Sequence, residues 1–121
     1  VEKEVVDDAI LTDPYEAAGR EAYKLKVEQG CDIVICLSHL GTMAEVMGLS
    51  QVPNIDIIIG GHSHDALFEP IQDGGKIIVQ AGEFGMYLGE LKVDVINGTV
   101  ALKSHSTLRC SDFGRAGIHG F

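Results

Sequence analysis

Two continuous apolar runs dominate the hydrophobic pattern of the chain. They are residues 31–38, CDIVICLS, and residues 55–60, IDIIIG. Short apolar runs rich in β-branched residues and bounded by glycine or polar residues predict buried strands. Since neither run alternates with polar residues, we expect both to be parallel strands covered on both faces. Residues 42–51 lie between them with the apolar spacing of a short helix, so the segment predicts a βαβ unit.

A longer amphipathic helix precedes the first strand. Asp13 is a favourable N-cap, Pro14 suits the first helical position, and Gly30 supplies a C-terminal stop. Apolar residues recur between them at spacings of three and four, which is the pattern of one buried helix face. These signals predict a helix over residues 14–29.

The distal part of the chain has the pattern of an antiparallel sheet. Residues 65–75 are predicted to be a loop, and KIIVQ at 76–80 is predicted to be a strand. Residues 88–96 alternate in part, and Asn97-Gly98 is the preferred dipeptide of a type I′ hairpin turn, so residues 99–105 should form the return strand. The predicted fold class is therefore α/β, with a βαβ unit and a C-terminal antiparallel hairpin.

Composition limits the functional classes that this chain can belong to. Its 121 residues fit one domain, and 45% hydrophobic residues favour a packed core. The formal net charge of −9 opposes phosphate backbones, so nucleic acid is not an expected partner. No run has the length of a transmembrane helix. The three cysteines are an odd count and do not form a disulfide framework.

Histidines follow both apolar runs and are the candidate functional residues. His39 comes after the first run, and His62 and His64 come after the second. Sites in parallel sheets form at the carboxyl ends of the strands, so these histidines should share one rim. If the chain stays extended, His62 and His64 point the same way with Cα atoms roughly 6.6 Å apart, which suits divalent metal ions. Gly60 and Gly61 provide either positive φ or a close backbone approach.

A simpler alternative is that these are ordinary surface-loop histidines, because loops collect polar side chains. A His-x-His sequence directly after Ile-Ile-Ile-Gly-Gly favours metal binding over that alternative. The histidines at 39, 62 and 64 are therefore the predicted metal ligands.

Three segments together resemble a known family. They are DIVICLSHLG at 32–41, NIDIIIGGHSHD at 54–65 and IIVQAGEFGMYLGELKVDV at 77–95. Together they resemble the distal half of the catalytic domain of the calcineurin-like metallophosphoesterases, in the 5′-nucleotidase branch. The resemblance runs from about residue 11 to about residue 104. It implies part of a four-layer α/β/β/α sandwich that holds two divalent metal ions at the rim of its sheets.

The resemblance also assigns roles to the histidines. His39 and His62 would ligate one metal ion and His64 the other, with manganese, zinc, iron or cobalt as the candidates. The two ions would bind phosphate oxygens and activate a bridging water for attack on a nucleotide or another phosphoester. Three neighbouring polar residues are expected to fix the imidazole rings: Ser38, Ser63 and Asp65.

Several motifs of the family are missing from the sequence. Asp-x-His, Gly-Asp-x-x-Asp and Gly-Asn-His, which would supply the remaining ligands, do not occur, and the nucleoside-binding domain is also absent. We therefore expect residues 1–110 to be the distal half of a catalytic domain and residues 111–121 to be a loose C-terminal tail. The expected partner is the missing N-terminal half, and the chain alone is expected to be inactive. Relatives of this branch imply a periplasmic or extracellular location.

Two kinds of alternative stay open. The chain could be a non-catalytic module that binds metal or a protein partner, which the missing acidic motifs favour. It could also be a cyclic-phosphodiesterase, UDP-sugar hydrolase or thiosulfate-ester hydrolase of the same family. No residue in the chain separates these substrates.

Overall fold

A four-stranded mixed sheet forms the centre of the chain in the computed structural model, which describes residues 11–113. Its strands are β1 (Ile35–Leu37), β2 (Ile57–Ile59), β3 (Ile71–Asp73) and β4 (Lys76–Val79). Their order across the sheet is β1-β2-β4-β3. Strands β1, β2 and β4 run parallel, and β3 is antiparallel to β4. The carboxyl ends of the three parallel strands therefore meet at one edge of the sheet.

The predicted N-terminal helix forms. Helix α1 spans Pro14–Tyr23 and continues into a π-helical turn, Lys24–Glu28, so it fills nearly all of the predicted 14–29. The Asp13 carboxylate accepts hydrogen bonds of 2.9 and 3.0 Å from two backbone amides of the first turn. Gly30, with φ of +70°, ends the helix because the left-handed conformation suits glycine.

A second helix connects β1 to β2 and confirms the βαβ unit. Helix α2 spans Thr42–Met47, and a 3₁₀ turn, Leu49–Gln51, follows it. The predicted helix is thus interrupted at Gly48. A Cβ atom at Gly48 would lie 2.6 Å from Cζ of Tyr15, so glycine allows α1 to pack directly against this point.

The first strand is shorter than its apolar run. Only Ile35–Leu37 of the predicted 31–38 pairs with β2. Just before it, the Val34 amide donates to the Asp56 carboxylate at 2.8 Å, and Lys26 Nζ donates to the same oxygen at 2.7 Å. A charged side chain therefore takes the place of a strand partner at the start of the run.

The prediction of a loop over residues 65–75 is wrong at its end. Residues Ile71–Asp73 form β3, which turns through Gly74 and Gly75 into β4. Both glycines have positive φ, +56° and +81°, which is what a tight two-residue hairpin requires. The Gly74-Gly75 turn therefore joins two strands instead of ending a loop.

The two faces of the sheet have different surroundings. The face towards the helices packs Val34, Ile58 and Ile78 against Ala22 and Leu49 in the hydrophobic core. On the opposite face, Ile57, Ile77 and Val79 are also buried. Ile35, Ile59 and especially Leu37, at 79% exposure, are open to solvent. The prediction that both faces are covered is therefore confirmed for most of β2 and β4, and it is wrong at the edge strand β1.

A long antiparallel ribbon lies against the other face. Strands β5 (Tyr87–Ile96) and β6 (Thr99–Arg109) pair through the predicted Asn97-Gly98 turn, whose φ angles are +51° and +74°. A groove of about 350 Å³ separates the ribbon from the sheet and is lined mainly by isoleucine and valine. Helices, sheet and ribbon make three layers.

The remaining features lie at the edges of this arrangement. His105 Nδ1 lies 3.3 Å from the Phe68 carbonyl oxygen. Of the predicted tail 111–121, the first three residues belong to a 3₁₀ turn, Cys110–Phe113, and 114–121 lie outside the described residues. None of the helices within 11–113 has the length and hydrophobicity that a membrane crossing requires.

Candidate metal-binding site

His39 and His62 meet at the carboxyl end of the parallel strands. Their ring centroids lie 5.2 Å apart, with the ring planes inclined at 70°. Gly61 makes this approach possible, since a Cβ atom there would lie 3.0 Å from His39 Nδ1. The predicted convergence of these two histidines on one rim is therefore present in the structure, because β1 and β2 are parallel neighbours.

The backbone of the His-x-His segment differs from the extended chain that we predicted. His62 and His64 both adopt left-handed conformations, with φ of +75° and +61°. The expectation that the two side chains leave an extended strand in the same direction is therefore wrong. Gly60 and Gly61 provide close approach instead of positive φ. A non-glycine residue in this region costs about 1–3 kcal/mol, which the surroundings must offset.

A polar cluster supports this strained segment. The side chain of Gln80, which is only 3% exposed, donates 3.1 Å hydrogen bonds to the hydroxyls of Thr42 and Ser63. Its carbonyl oxygen accepts a 2.9 Å hydrogen bond from the Asp65 amide. These bonds join the histidine segment to the start of α2 and to the end of β4.

The polar residues proposed to fix the imidazoles have other partners. Thr42 Oγ1 donates to Asp65 at 2.6 Å, and this bond holds the pKa of the Asp65 carboxyl below its ordinary value. Ser63 Oγ accepts from the Thr42 amide at 3.1 Å, and Ser38 Oγ accepts from the Leu40 amide at 3.2 Å. Within residues 11–113 none of these three side chains hydrogen-bonds an imidazole. They hold the backbone around the histidines.

His64 instead contacts a carboxylate that the sequence interpretation missed. Its Nδ1 lies 2.6 Å from Oε2 of Glu83, and the ring of Phe84 lies 5.7 Å from the imidazole, centroid to centroid. Glu83 belongs to the glycine-rich bend between β4 and β5. One feature of the sequence could have pointed to Glu83. It is the single carboxylate in QAGEFG at 80–85, the segment that directly follows a predicted strand.

Glu45 is a second carboxylate that the sequence did not reveal. It lies on α2, its side chain is fully buried, and neither oxygen has a hydrogen-bond partner among the described residues. The carboxylate fills the space beside Gly60, where a Cβ atom would lie 2.7 Å from its carboxyl carbon. Burial raises the pKa of the neighbouring Cys36 thiol, and the charge of Glu45 raises it further.

The donor set fits part of a divalent metal site. Imidazole nitrogen is a good ligand for zinc, iron, cobalt and manganese, and His39 and His62 bring two imidazoles together. No group of three histidine, cysteine, aspartate or glutamate side chains within residues 11–113 has an arrangement that could hold a metal ion. Because even a zinc site takes four ligands, these residues can supply only part of the coordination shell.

No family model matches the chain, but individual proteins do. It is 37% identical over 101 residues to "Protein 5NUC" of Lutzomyia longipalpis, a match that covers 69% of this chain and 18% of that protein. It is 30% identical over 91 residues to an uncharacterised metallophosphoesterase, YunD, of Bacillus subtilis. This match covers 74% of this chain and 20% of that protein. The chain thus spans about a fifth of the length of these relatives.

Two solved structures resemble the chain in fold. The sulfate thiohydrolase SoxB of Thermus thermophilus superposes with a TM-score of 0.74 at 24% identity, and the match covers 81% of this chain and 18% of that one. A 5′-nucleotidase precursor from Thermus thermophilus superposes with a TM-score of 0.69 at 25% identity. This match covers 81% of this chain and 23% of the precursor.

Proposed function

We propose that this chain, a relative of the metallophosphoesterases and 5′-nucleotidases, is part of a divalent-metal-dependent hydrolase that converts a nucleotide monoester into a nucleoside and phosphate. The observation that carries the proposal is the meeting of His39 and His62 at the carboxyl ends of adjacent parallel strands. Ligands bind at this edge of open α/β sheets. Related proteins that are phosphoester hydrolases supply the reaction class.

The chain's own residues would hold the metal ions and keep their ligands in place. His39 and His62 would bind one ion and His64 the other, with manganese, zinc, iron or cobalt as candidates. When bound, two such ions stabilise charge on phosphoryl oxygens and lower the pKa of water. Gln80 and Ser63 keep the histidine backbone in its strained conformation, so that little rearrangement is needed on binding. The net charge of −9 favours cations over an anionic substrate, which makes the metal ions essential.

The rest of the active site would come from a segment that the sequence lacks. We propose that residues 1–110 are the distal half of a four-layer catalytic domain, and that the N-terminal half supplies the carboxylate ligands. The exposed apolar side chains of Ile35, Leu37 and Ile59 on neighbouring strands support this proposal, because a contiguous apolar patch that is open to solvent marks an interface. A periplasmic or extracellular location and the loose tail at 111–121 stay predictions.

The first experiment is a calorimetric titration of Mn²⁺ and Zn²⁺ into the purified chain. We expect weak binding that His62→Ala removes, because one imidazole alone is a poor site. His105→Ala is the matched control, since it removes an imidazole whose Nδ1 lies 3.3 Å from the Phe68 carbonyl oxygen. Binding that persists in the His62→Ala variant would contradict the assignment.

The second experiment measures hydrolysis of a nucleoside monophosphate by the chain joined to the N-terminal half of a related enzyme. Turnover that requires His62 would support the proposal, whereas near-normal turnover in His62→Ala would refute it. A panel with a cyclic nucleotide, a UDP-sugar and a thiosulfate ester separates the alternative substrates.

A non-catalytic metal-binding module is the second candidate. The observation that favours it is that the sequence contains none of the family's Asp-x-His, Gly-Asp-x-x-Asp and Gly-Asn-His motifs. Metal binding by the joined protein without hydrolysis of any substrate in the panel would establish this alternative.

A further inference from the structure

The carboxylate of Glu83 reaches a single ring nitrogen of His64. Its Oε2 lies 2.6 Å from Nδ1, which is the length of a strong hydrogen bond to a charged acceptor. Both side chains are partly exposed, at 38% and 53%. An exposed polar contact of this kind contributes little to stability, so the role we consider for it is orientation of the imidazole ring.

The segment that carries Glu83 is fixed to the chain just after His64. The Gly82 amide donates to the Asp65 carbonyl at 2.9 Å, and Ala66 pairs with Ala81 in an isolated antiparallel bridge. The backbone just before Glu83 is therefore bound to the backbone that follows the histidine. The fold thus brings the Glu83 carboxylate and the His64 imidazole together.

The bend itself adopts a conformation that few sequences tolerate. Phe84 has φ of +52°, between Gly82 at +75° and Gly85 at +67°. This geometry places the Phe84 ring 5.7 Å from the His64 imidazole, at an interplanar angle of 56°. The imidazole thus has a carboxylate at one nitrogen and an aromatic ring at its side.

We propose that Glu83 is a positioning residue that holds the Nδ1–H of His64 and leaves Nε2 free as the metal-binding nitrogen. This inference rests on the proposed metal role of His64 and adds the choice of tautomer and of ligating atom. Histidine ligands commonly donate the other ring N–H to a carboxylate, and loss of that partner typically lowers metal affinity by about 10–100-fold.

The test compares Glu83→Ala and Glu83→Gln in the full chain at pH 8, where an ordinary imidazole is neutral. Imidazole ¹⁵N NMR shifts of His64 report the tautomer without any metal present. We expect the Nδ1–H form in the wild type, a mixture in Glu83→Ala, and the Nδ1–H form in Glu83→Gln, because the amide oxygen also accepts a hydrogen bond. Glu90→Ala, a carboxylate on the ribbon near Lys92, is the control and should change nothing.

Zn²⁺ is then titrated while the His64 ring resonances are followed. Glu83→Ala should weaken binding at this ring by about tenfold or more, and Glu83→Gln should recover most of it. An Nε2–H form in the wild type, or a tautomer that Glu83→Ala leaves unchanged, overturns the positioning role. If the tautomers are as expected but Zn²⁺ does not change the His64 ring resonances of the wild type, the proposed metal role of His64 is overturned instead.

Discussion

Replacement of Gly60 by alanine should destabilise the chain through one contact, with the buried carboxylate of Glu45. The new Cβ atom would lie 2.7 Å from the carboxyl carbon and 2.8 Å from Oε1. Carbon atoms in contact normally lie about 3.5–4.0 Å apart, so one of the two groups must move. Gly60 is not among the residues with positive φ, and alanine therefore adds no backbone strain there.

The magnitude follows from two opposing effects. Overpacking of a filled interior typically costs about 1–3 kcal/mol. Alanine also reduces the freedom of the unfolded chain, which returns about 0.4–1 kcal/mol. We expect the free energy of unfolding to fall by about 1–2 kcal/mol, a large part of the stability of a small domain.

A double-mutant cycle identifies the contact. In Glu45→Ala the carboxylate is gone, so the Cβ atom of Gly60→Ala enters vacated space in the double variant. Gly60→Ala should then cost about 1–3 kcal/mol less in the Glu45→Ala variant than it does in the wild type. Urea unfolding followed by circular dichroism measures all four proteins.

Gly89→Ala is the control for the general effect of adding a methyl group. Its Cβ atom would lie at an ordinary 3.7 Å from Cβ of Ala81, so stability should be unchanged or slightly raised. If the effects of Gly60→Ala and Glu45→Ala are simply additive, the contact does not limit this position and our reasoning is refuted.

Two further predictions concern charged and ionisable side chains. Asp56→Ala should lower the free energy of unfolding by about 2–3 kcal/mol, because it removes the acceptor for Lys26 and for the Val34 amide. An unchanged midpoint of urea unfolding would contradict this prediction. At pH 8, iodoacetamide should alkylate the exposed Cys110 before Cys36, as mass spectrometry would show, because burial raises the pKa of the Cys36 thiol above its ordinary value. The same shift makes this thiol's contribution to stability fall as pH rises above that value. Equal alkylation rates at Cys110 and Cys36 would refute the reasoning.

Elements whose signals are local could be predicted from the sequence. The helix beginning at Pro14 has its cap, its first-turn proline and its terminal glycine within one segment. The ribbon turn at Asn97-Gly98 likewise depends on two residues that tolerate positive φ. In both cases neighbouring residues determine the conformation, so the pattern is sufficient.

Short strands whose residues show no clear periodic pattern were harder to predict. Strand Ile71–Asp73 is short and mixed in polarity, and it forms because the Gly74-Gly75 turn returns it to β4. The apolar run at 31–38 pairs along only three residues, since the Asp56 carboxylate binds the Val34 amide. Neither outcome follows from periodicity.

The candidate site divides in the same way. The approach of His39 and His62 follows from two parallel strands that end side by side, which the apolar runs predicted. The direction of His64 could not be predicted in this way, because the neighbouring residues Ser63 and Asp65 are hydrogen-bonded to Gln80 and the His64 ring contacts Glu83. Both partners lie far along the chain.

The left-handed conformation at positions 62 and 64 also restricts which residues can replace these histidines. Glycine adopts this region freely, and asparagine and aspartate visit it more readily than other side chains, whereas β-branched residues are strongly disfavoured. Of the tolerated replacements, asparagine and aspartate also carry an oxygen that can bind a metal ion. Sequence drift at these two positions should therefore pass through Asn and Asp, so the backbone limits how the metal preference of the site can evolve.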